Sequence, residues 1–191
     1  MTHPVPRALN LKNLRDISPL ISEFEYYISY GSLLGYVRDR NLLELDDDVD
    51  YSMHIQHKEQ MKKIFSENGF RLNVHGNNFV QGSRELMHDG KNYTTYIDFY
   101  FYENHEDNDY LIDRWSFSGQ ENNPEAALHI PKDLVYPIRD SKIVDIDIKI
   151  PFDSYGYAEY LYGKDYKIPL DKTKDYTIRF INNIPECVRL T

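Results

Sequence analysis

Residues 28–53 read ISYGSLLGYVRDRNLLELDDDVDYSM, and this stretch carries the strongest structural signals in the chain. Its second half places five carboxylates within seven residues: Glu44, Asp46, Asp47, Asp48 and Asp50. Two carboxylates about 4 Å apart repel each other by roughly 4 kcal/mol at an effective dielectric constant of about 20. Such a run is therefore either spread into water or neutralised by a cation.

A period-two pattern follows the acidic run. Residues 49–55 alternate between apolar and polar side chains, which predicts a half-buried strand. In that strand Asp46, Asp48 and Asp50 lie on one face. Carboxylates side by side on a strand form a hard-oxygen site for Mg²⁺ or Mn²⁺. The alternative is a solvated acidic turn that holds no ion.

A Gly-Ser pair, Gly31-Ser32, precedes the acidic run. The aromatic residues and Ile of residues 24–30 predict a strand, and residues 33–38 are suited to begin a short helix. A glycine followed by a hydroxyl residue at such a junction offers backbone N–H groups and a side-chain donor to a phosphate. The alternative is an ordinary helix start, because Ser is a favoured N-cap residue.

A third acidic residue stands in a distant strand. Residues 93–102, YTTYIDFYFY, place Ile97, Phe99 and Phe101 on one apolar face, and Asp98 is the only charge on the other. A carboxylate in such a strand is costly unless it has a partner. If its face meets the strand of Asp48 and Asp50, the three carboxylates converge on one metal position.

The run GSLLGYVRDRNLLELDDDVDYSM resembles the signature of the LicD family, which includes the fukutin-related phosphosugar and phosphocholine transferases and belongs to the DNA polymerase β type nucleotidyltransferase superfamily. Residues 31–35 with Arg38 match its first motif, residues 46–50 the acidic motif, and residues 97–99 the later strand. The similarity extends over roughly residues 20–169. Glu44-Leu45 replace the Pro-Trp pair usual in the family, which leaves acceptor recognition open.

The strand and helix signals predict an α+β fold with a mixed, mostly antiparallel sheet of about five strands and helices packed on one side of it. The length predicts one domain, residues 1–191, and the resemblance implies that its fold is nucleotidyltransferase-like. The resemblance also implies a phosphotransferase. The implied catalytic residues and metal ligands are Asp48, Asp50 and Asp98. Gly31, Ser32 and Arg38 are the implied substrate-binding residues, with the Arg38 guanidinium suited to bidentate phosphate contact.

The same resemblance implies a cofactor and two partners. The cofactor is Mg²⁺ or Mn²⁺, the donor is a CDP- or UDP-linked sugar, alditol or choline phosphate, and the acceptor is a glycan or sugar hydroxyl. Two alternatives stay open: nucleotidyl transfer from an NTP to a small phosphorylated molecule, and a non-catalytic module that binds glycans or cations. The presence of all three candidate ligands disfavours the second alternative.

Composition limits the partners and the compartment. Acidic residues outnumber Lys and Arg by 31 to 22, a net charge of −9, which argues against non-specific binding to nucleic acid. The single cysteine, Cys187, excludes a disulfide within the chain. The sequence has no long apolar run and no apolar signal core at its start, so it predicts a soluble, cytoplasmic protein without a transmembrane segment, with peripheral membrane association left open.

Other segments have local signals. Residues 58–68 predict a helix that stops at Gly69, the Asp89-Gly90 pair predicts a hairpin, and Asp153 and Gly163 bound a helix over 154–162. Residues 70–75, 78–81 and 85–88 predict short strands, with a turn at 76–77. Residues 143–150 alternate like one strand with a solvated acidic face, and residues 114–125 predict a mobile segment near the site.

Overall fold

The computed structural model describes residues 4–75, 78–106, 109–114, 127–169, 176–181 and 184–189. The predicted turn at 76–77 and nearly all of the predicted mobile segment at 114–125 lie outside these ranges. The elements follow in the order β1 (Val5–Pro6), α1 (Arg7–Ile21), β2 (Tyr26–Ile28), α2 (Tyr30–Asp39), β3 (Leu45–Asp46), β4 (Asp50–His54), α3 (Lys58–Glu67), β5 (Arg71–His75), β6 (Phe79–His88), β7 (Lys91–Asn104), β8 (Tyr110–Asp113), β9 (Leu128–Pro131), α4 (Lys132–Val135), β10 (Arg139–Ile143), β11 (Ile146–Ile150), α5 (Ser154–Tyr162), β12 (Tyr176–Ile181) and β13 (Ile184–Arg189).

Within the residues that the structure describes, the main sheet has seven strands. Five of them run in the order β2-β4-β7-β6-β5, and β8 pairs with β7 while β9 pairs with β8. Strands β4 and β7 are parallel, and the other pairs of this sheet are antiparallel. The α+β class and the mostly antiparallel mixed sheet are therefore confirmed. The strand count exceeds the predicted five because β8 and β9 extend the sheet.

Helices pack on both faces of the sheet. The ring of Phe65 on α3 lies 5.5 Å from that of Phe99, and a Cβ on Gly82 would come within 2.7 Å of the same Phe65 ring. Gly82 therefore leaves the room that α3 needs on the apolar face. Helix α2 lies on the opposite face, where Ser32 contacts Asp50. The expectation that helices cover only one side was wrong, because the polar face of β7 is also covered.

The predicted helices are found. Helix α1 continues through Pro19 to Ile21, although proline usually breaks or kinks the interior of a helix. Helix α3 is followed by Gly69 at φ 78°, and Asp153 caps α5 by accepting a hydrogen bond from the Gly156 N–H at 2.8 Å. None of the helices in the described part of the chain has the length and apolar character needed to cross a membrane.

Two strand predictions change. The single strand predicted at 143–150 was wrong, because the chain turns at Val144-Asp145 and forms the antiparallel β10–β11 hairpin. In this hairpin Asp145 pairs with Arg15 at 2.7 Å and Asp147 with Lys142 at 2.9 Å, on the protein surface. Residues 79–88 form one strand instead of two short ones, and the predicted turn that follows it at residues 89–90 is confirmed.

Candidate active site

The parallel pairing of β4 with β7 places Asp50 directly beside Asp98. Backbone hydrogen bonds continue this ladder, from the Val49 N–H to the Tyr96 carbonyl at 3.1 Å and from the Asp98 N–H to the Val49 carbonyl at 2.9 Å. Residues in register on neighbouring strands project to the same face of a sheet. Asp50 and Asp98, which are 3% and 4% exposed, therefore lie on one face although they are 48 positions apart in sequence.

Two further carboxylates, those of Asp46 and Asp48, lie close to Asp50 of this pair. One oxygen each of Asp46, Asp48 and Asp50 lies within 4.8 Å of the other two. Asp46 belongs to the short strand β3, which pairs with β1, and its carbonyl accepts a hydrogen bond from Asn10 Nδ2 at 3.1 Å. This grouping of hard oxygen atoms is suited to a divalent cation such as Mg²⁺. Asp46 was absent from the predicted ligand set, although its spacing of two from Asp48 was visible in the sequence.

Gly31 lies against these carboxylates at the start of α2. A Cβ atom added at Gly31 would be 2.5 Å from Asp46 Oδ2 and 3.2 Å from Asp50 Oδ2. The first of these separations is shorter than any ordinary carbon–oxygen contact, so a side chain at this position would displace Asp46. Gly31 is therefore the residue that allows the helix backbone to approach the acidic cluster.

Ser32 holds Asp50 through two hydrogen bonds. Its N–H donates to Asp50 Oδ2 at 3.2 Å, and its Oγ accepts from the Asp50 N–H at 2.9 Å. Ser32 is only 1% exposed, and the N-cap position of α2 is Ser29. These contacts give Ser32 a positioning role at Asp50 that local sequence did not indicate. Direct contact of Gly31 and Ser32 with a phosphate stays a prediction.

Asp98 lies in a buried environment that changes its proton affinity. Burial raises the pKa of the Asp98 carboxyl well above the ordinary value, and the negative charge of nearby Asp48 raises it further. Gln81 on β6 donates from Nε2 to Asp98 Oδ1 at 3.0 Å, which favours the charged form. Gln81 was not among the predicted site residues.

The Arg38 guanidinium donates hydrogen bonds to two backbone carbonyls that do not belong to the acidic cluster. Its Nε donates to the Tyr166 carbonyl at 2.6 Å and its Nη2 to the Ile168 carbonyl at 3.2 Å. The guanidinium thereby connects the end of α2 to the segment that follows α5. Its predicted contact with a phosphate stays a prediction, whereas the structural role is observed.

A family model described as "LicD/FKTN/FKRP, nucleotidyltransferase domain" matches residues 23–153. The chain belongs to this family. The matched range of this LicD-family chain includes the Gly31-Ser32 pair, the acidic cluster and Asp98. The resemblance noted in the sequence is thereby confirmed.

Individual relatives of the LicD-family chain agree with the family match. The chain is 31% identical over 170 residues to "Ribitol-5-phosphate transferase FKTN" of Mus musculus, which covers 88% of this chain and 33% of that protein. It is 29% identical over 153 residues to the Homo sapiens protein of the same name, an alignment that covers 79% of this chain and 31% of that protein. An uncharacterized protein of Rickettsia typhi is 25% identical over 195 residues, an alignment that covers 93% of this chain and 54% of that protein. The chain thus spans about a third of the length of the transferases it matches.

Proposed function

We propose that this chain is a metal-dependent transferase that moves a phospho-sugar, phospho-alditol or phosphocholine group from a CDP- or UDP-activated donor to a glycan hydroxyl. The observation that carries the proposal is the register of Asp50 with Asp98 beside the Asp46–Asp48–Asp50 cluster. Membership in the LicD family and similarity to two proteins named ribitol-5-phosphate transferases support this choice of reaction. A phospho-alditol is accordingly the first donor group to test.

The acidic residues fit a divalent ion. Asp48, Asp50 and Asp98 would hold Mg²⁺ or Mn²⁺, with Asp46 as a further ligand, because all four offer hard oxygen atoms. Oxygens of Asp46, Asp48 and Asp50 lie within 4.8 Å of one another, and Asp98 is in register with Asp50 on the neighbouring strand. When bound, the ion supplies charge neutralisation to the donor diphosphate. Because the net charge of −9 repels an anionic donor, such local neutralisation would favour donor binding.

The residues of the chain would divide the remaining work. Ser32 fixes Asp50, and Gly31, Ser32 and Arg38 are the proposed contacts of the donor phosphates. Asp98 would orient the acceptor hydroxyl or take its proton. The acceptor oxygen then bonds to the outer phosphorus of the donor, the bond from that phosphorus to the bridging oxygen breaks, and CMP or UMP leaves. Such transfer depends mostly on positioning and charge stabilisation.

Donor turnover tests the proposal. The purified chain is incubated with CDP-ribitol and other CDP- or UDP-linked donors, a glycan acceptor and Mn²⁺ or Mg²⁺, and released CMP or UMP is measured. The expected result is release that depends on both metal and acceptor and is lost in Asp50→Asn. Metal binding without turnover of any donor would contradict the transferase and favour a binding module.

Nucleotidyl transfer is the second candidate, because the matching family model is described as a nucleotidyltransferase domain. It would use the same carboxylates but attack the phosphorus nearest the nucleoside. Incubation with each NTP and a sugar phosphate distinguishes the two reactions. Pyrophosphate release would favour nucleotidyl transfer, and release of nucleoside monophosphate from a CDP- or UDP-linked donor would favour phosphosugar transfer.

A further inference from the structure

The residue immediately before Gly31 has an unusual backbone conformation. Tyr30 is the first residue of α2, and its φ is 41°. This left-handed region is unfavourable for a bulky side chain, and such residues persist only where surrounding contacts hold them. Strained residues of this kind concentrate at functional sites. The contacts of Tyr30 therefore indicate what keeps the start of α2 in place.

The side chain of Tyr30 contacts both Asp113 and Tyr100. Its hydroxyl donates a hydrogen bond to Asp113 Oδ2, and its ring centroid lies 4.4 Å from that of Tyr100. Asp113 is 2% exposed, ends β8 and lies opposite Tyr102 in the sheet. Because β7 carries both Asp98 and Tyr100, the strand that supplies one carboxylate of the site also supports the Tyr30 ring.

The backbone transmits this support to the acidic cluster. Tyr30 is bonded directly to Gly31, whose backbone lies against Asp46 and Asp50, and Ser32 follows with its two hydrogen bonds to Asp50. The next amide, that of Leu33, donates to the Ser29 carbonyl at 2.9 Å. A displacement of Tyr30 therefore moves the residues that touch the cluster.

We infer that Tyr30 and Asp113 are positioning residues of the acidic site. Their hydrogen bond holds the strained first residue of α2 and thereby sets the distance of Gly31 and Ser32 from Asp46 and Asp50. The effect on transfer rests on the proposed function, whereas the effect on the start of α2 does not. The sequence carried one faint signal for Asp113. Leu111-Ile112-Asp113 repeats, less clearly, the order of two apolar residues and an Asp in Tyr96-Ile97-Asp98.

Tyr30→Phe tests the inference, because it removes the hydroxyl and keeps the ring that contacts Tyr100. Tyr36→Phe is the matched control on the same helix, since the Tyr36 hydroxyl is hydrogen-bonded to Ser141 Oγ at 2.8 Å in the β10–β11 hairpin. Hydrogen exchange of the Ser32 and Leu33 amides reports the start of α2, and a Mn²⁺ titration followed by electron paramagnetic resonance reports the cluster.

For Tyr30→Phe we expect exchange at these amides to accelerate about tenfold or more, because Asp113 Oδ2 loses a hydrogen-bond donor in a buried environment. We expect the Mn²⁺ affinity to fall about tenfold, in the range seen when residues supporting metal ligands are changed. Tyr36→Phe should leave both values within about twofold of the wild type. Asp113→Asn, which retains an acceptor oxygen, should restore most of what Asp113→Ala loses.

Two results would overturn the inference: wild-type exchange and Mn²⁺ affinity in Tyr30→Phe, or equal changes in Tyr30→Phe and Tyr36→Phe. Should Asp113→Ala fail to fold, the comparison of the two tyrosine variants still decides. A wild-type protein that turns over no donor, yet shows the expected difference in amide exchange, refutes the proposed function and supports the positioning role. Normal donor turnover with unchanged exchange in Tyr30→Phe does the opposite.

Discussion

Replacing Gly31 by Ala should raise the thermal stability of the protein and weaken its binding of a metal ion. The new methyl carbon would start 2.5 Å from Asp46 Oδ2 and 3.2 Å from Asp50 Oδ2, so the Asp46 carboxylate has to turn away. The atom in the way is the far end of the half-buried Asp46 side chain and not backbone, so rotation of that side chain can relieve the clash. The replacement therefore disturbs the acidic cluster more than it disturbs the fold.

The two effects have opposite signs. Alanine in a helix is favoured over glycine by roughly 0.5–1 kcal/mol, and Gly31 lacks the positive φ that would forbid a side chain. Such a gain raises the thermal midpoint of a chain of this size by roughly 1–4 °C. Loss of Asp46 from the cluster should reduce the Mn²⁺ affinity by at least about tenfold, as changes around metal sites commonly do.

The assay is a thermal melt in EDTA together with a Mn²⁺ titration of the same preparation. Gly156→Ala is the matched control, because a Cβ there would collide with the carboxylate of Asp153, the N-cap of α5. That control should lose about 1 kcal/mol of stability with the cap and keep its Mn²⁺ affinity. Wild-type Mn²⁺ affinity in Gly31→Ala would show that Asp46 is not a ligand and that the close approach of α2 is unnecessary.

Further predictions concern the neighbouring residues. Asp50→Asn should abolish nucleotide release while the thermal midpoint in EDTA stays the same or rises, because carboxylate repulsion is relieved; a fall of many degrees would make Asp50 a structural residue. Ser32→Ala should cost about 1–3 kcal/mol in urea unfolding, since the buried Asp50 N–H loses its acceptor, while the exposed Ser66→Ala should stay within about 0.5 kcal/mol of the wild type. The pKa of Asp98 is raised well above 3.8, so the metal-free native state retains a proton that the unfolded chain releases, and the free energy of unfolding should fall as the pH rises from 3.8 toward the raised pKa. Asp98→Asn should flatten that slope, and an unchanged slope would contradict the burial of this carboxyl.

The sequence predicted the elements whose signals are local. The Asp89-Gly90 turn, the Asp153 cap and the Gly163 stop are short patterns that act on adjacent backbone, and each appears in the structure. Strands β8 and β9 are only four residues long, too short to show a period. The β10–β11 hairpin was missed because Val144, an apolar residue at the turn, continued the alternation.

The candidate site was predictable only in part. Asp98 stood out as a lone charge among aromatic residues, and the structure places it beside Asp50. Asp46 shares the period-two spacing of Asp48 and Asp50, but it lies in the separate two-residue strand β3, whose pairing with β1 has no signal in the sequence. The hydrogen bonds of Ser32 with Asp50 join residues 18 positions apart, so a pattern around Ser32 alone indicated only a helix start or a phosphate donor.

The hydrogen bonds of Arg38 bear on how fragments of this protein should be cut. The family match stops at residue 153, whereas this half-buried guanidinium donates to the carbonyls of Tyr166 and Ile168. A truncation at the family boundary would delete α5 and leave the cation at the end of α2 without either acceptor. Expression fragments intended for crystallisation or calorimetry should therefore extend at least to residue 169.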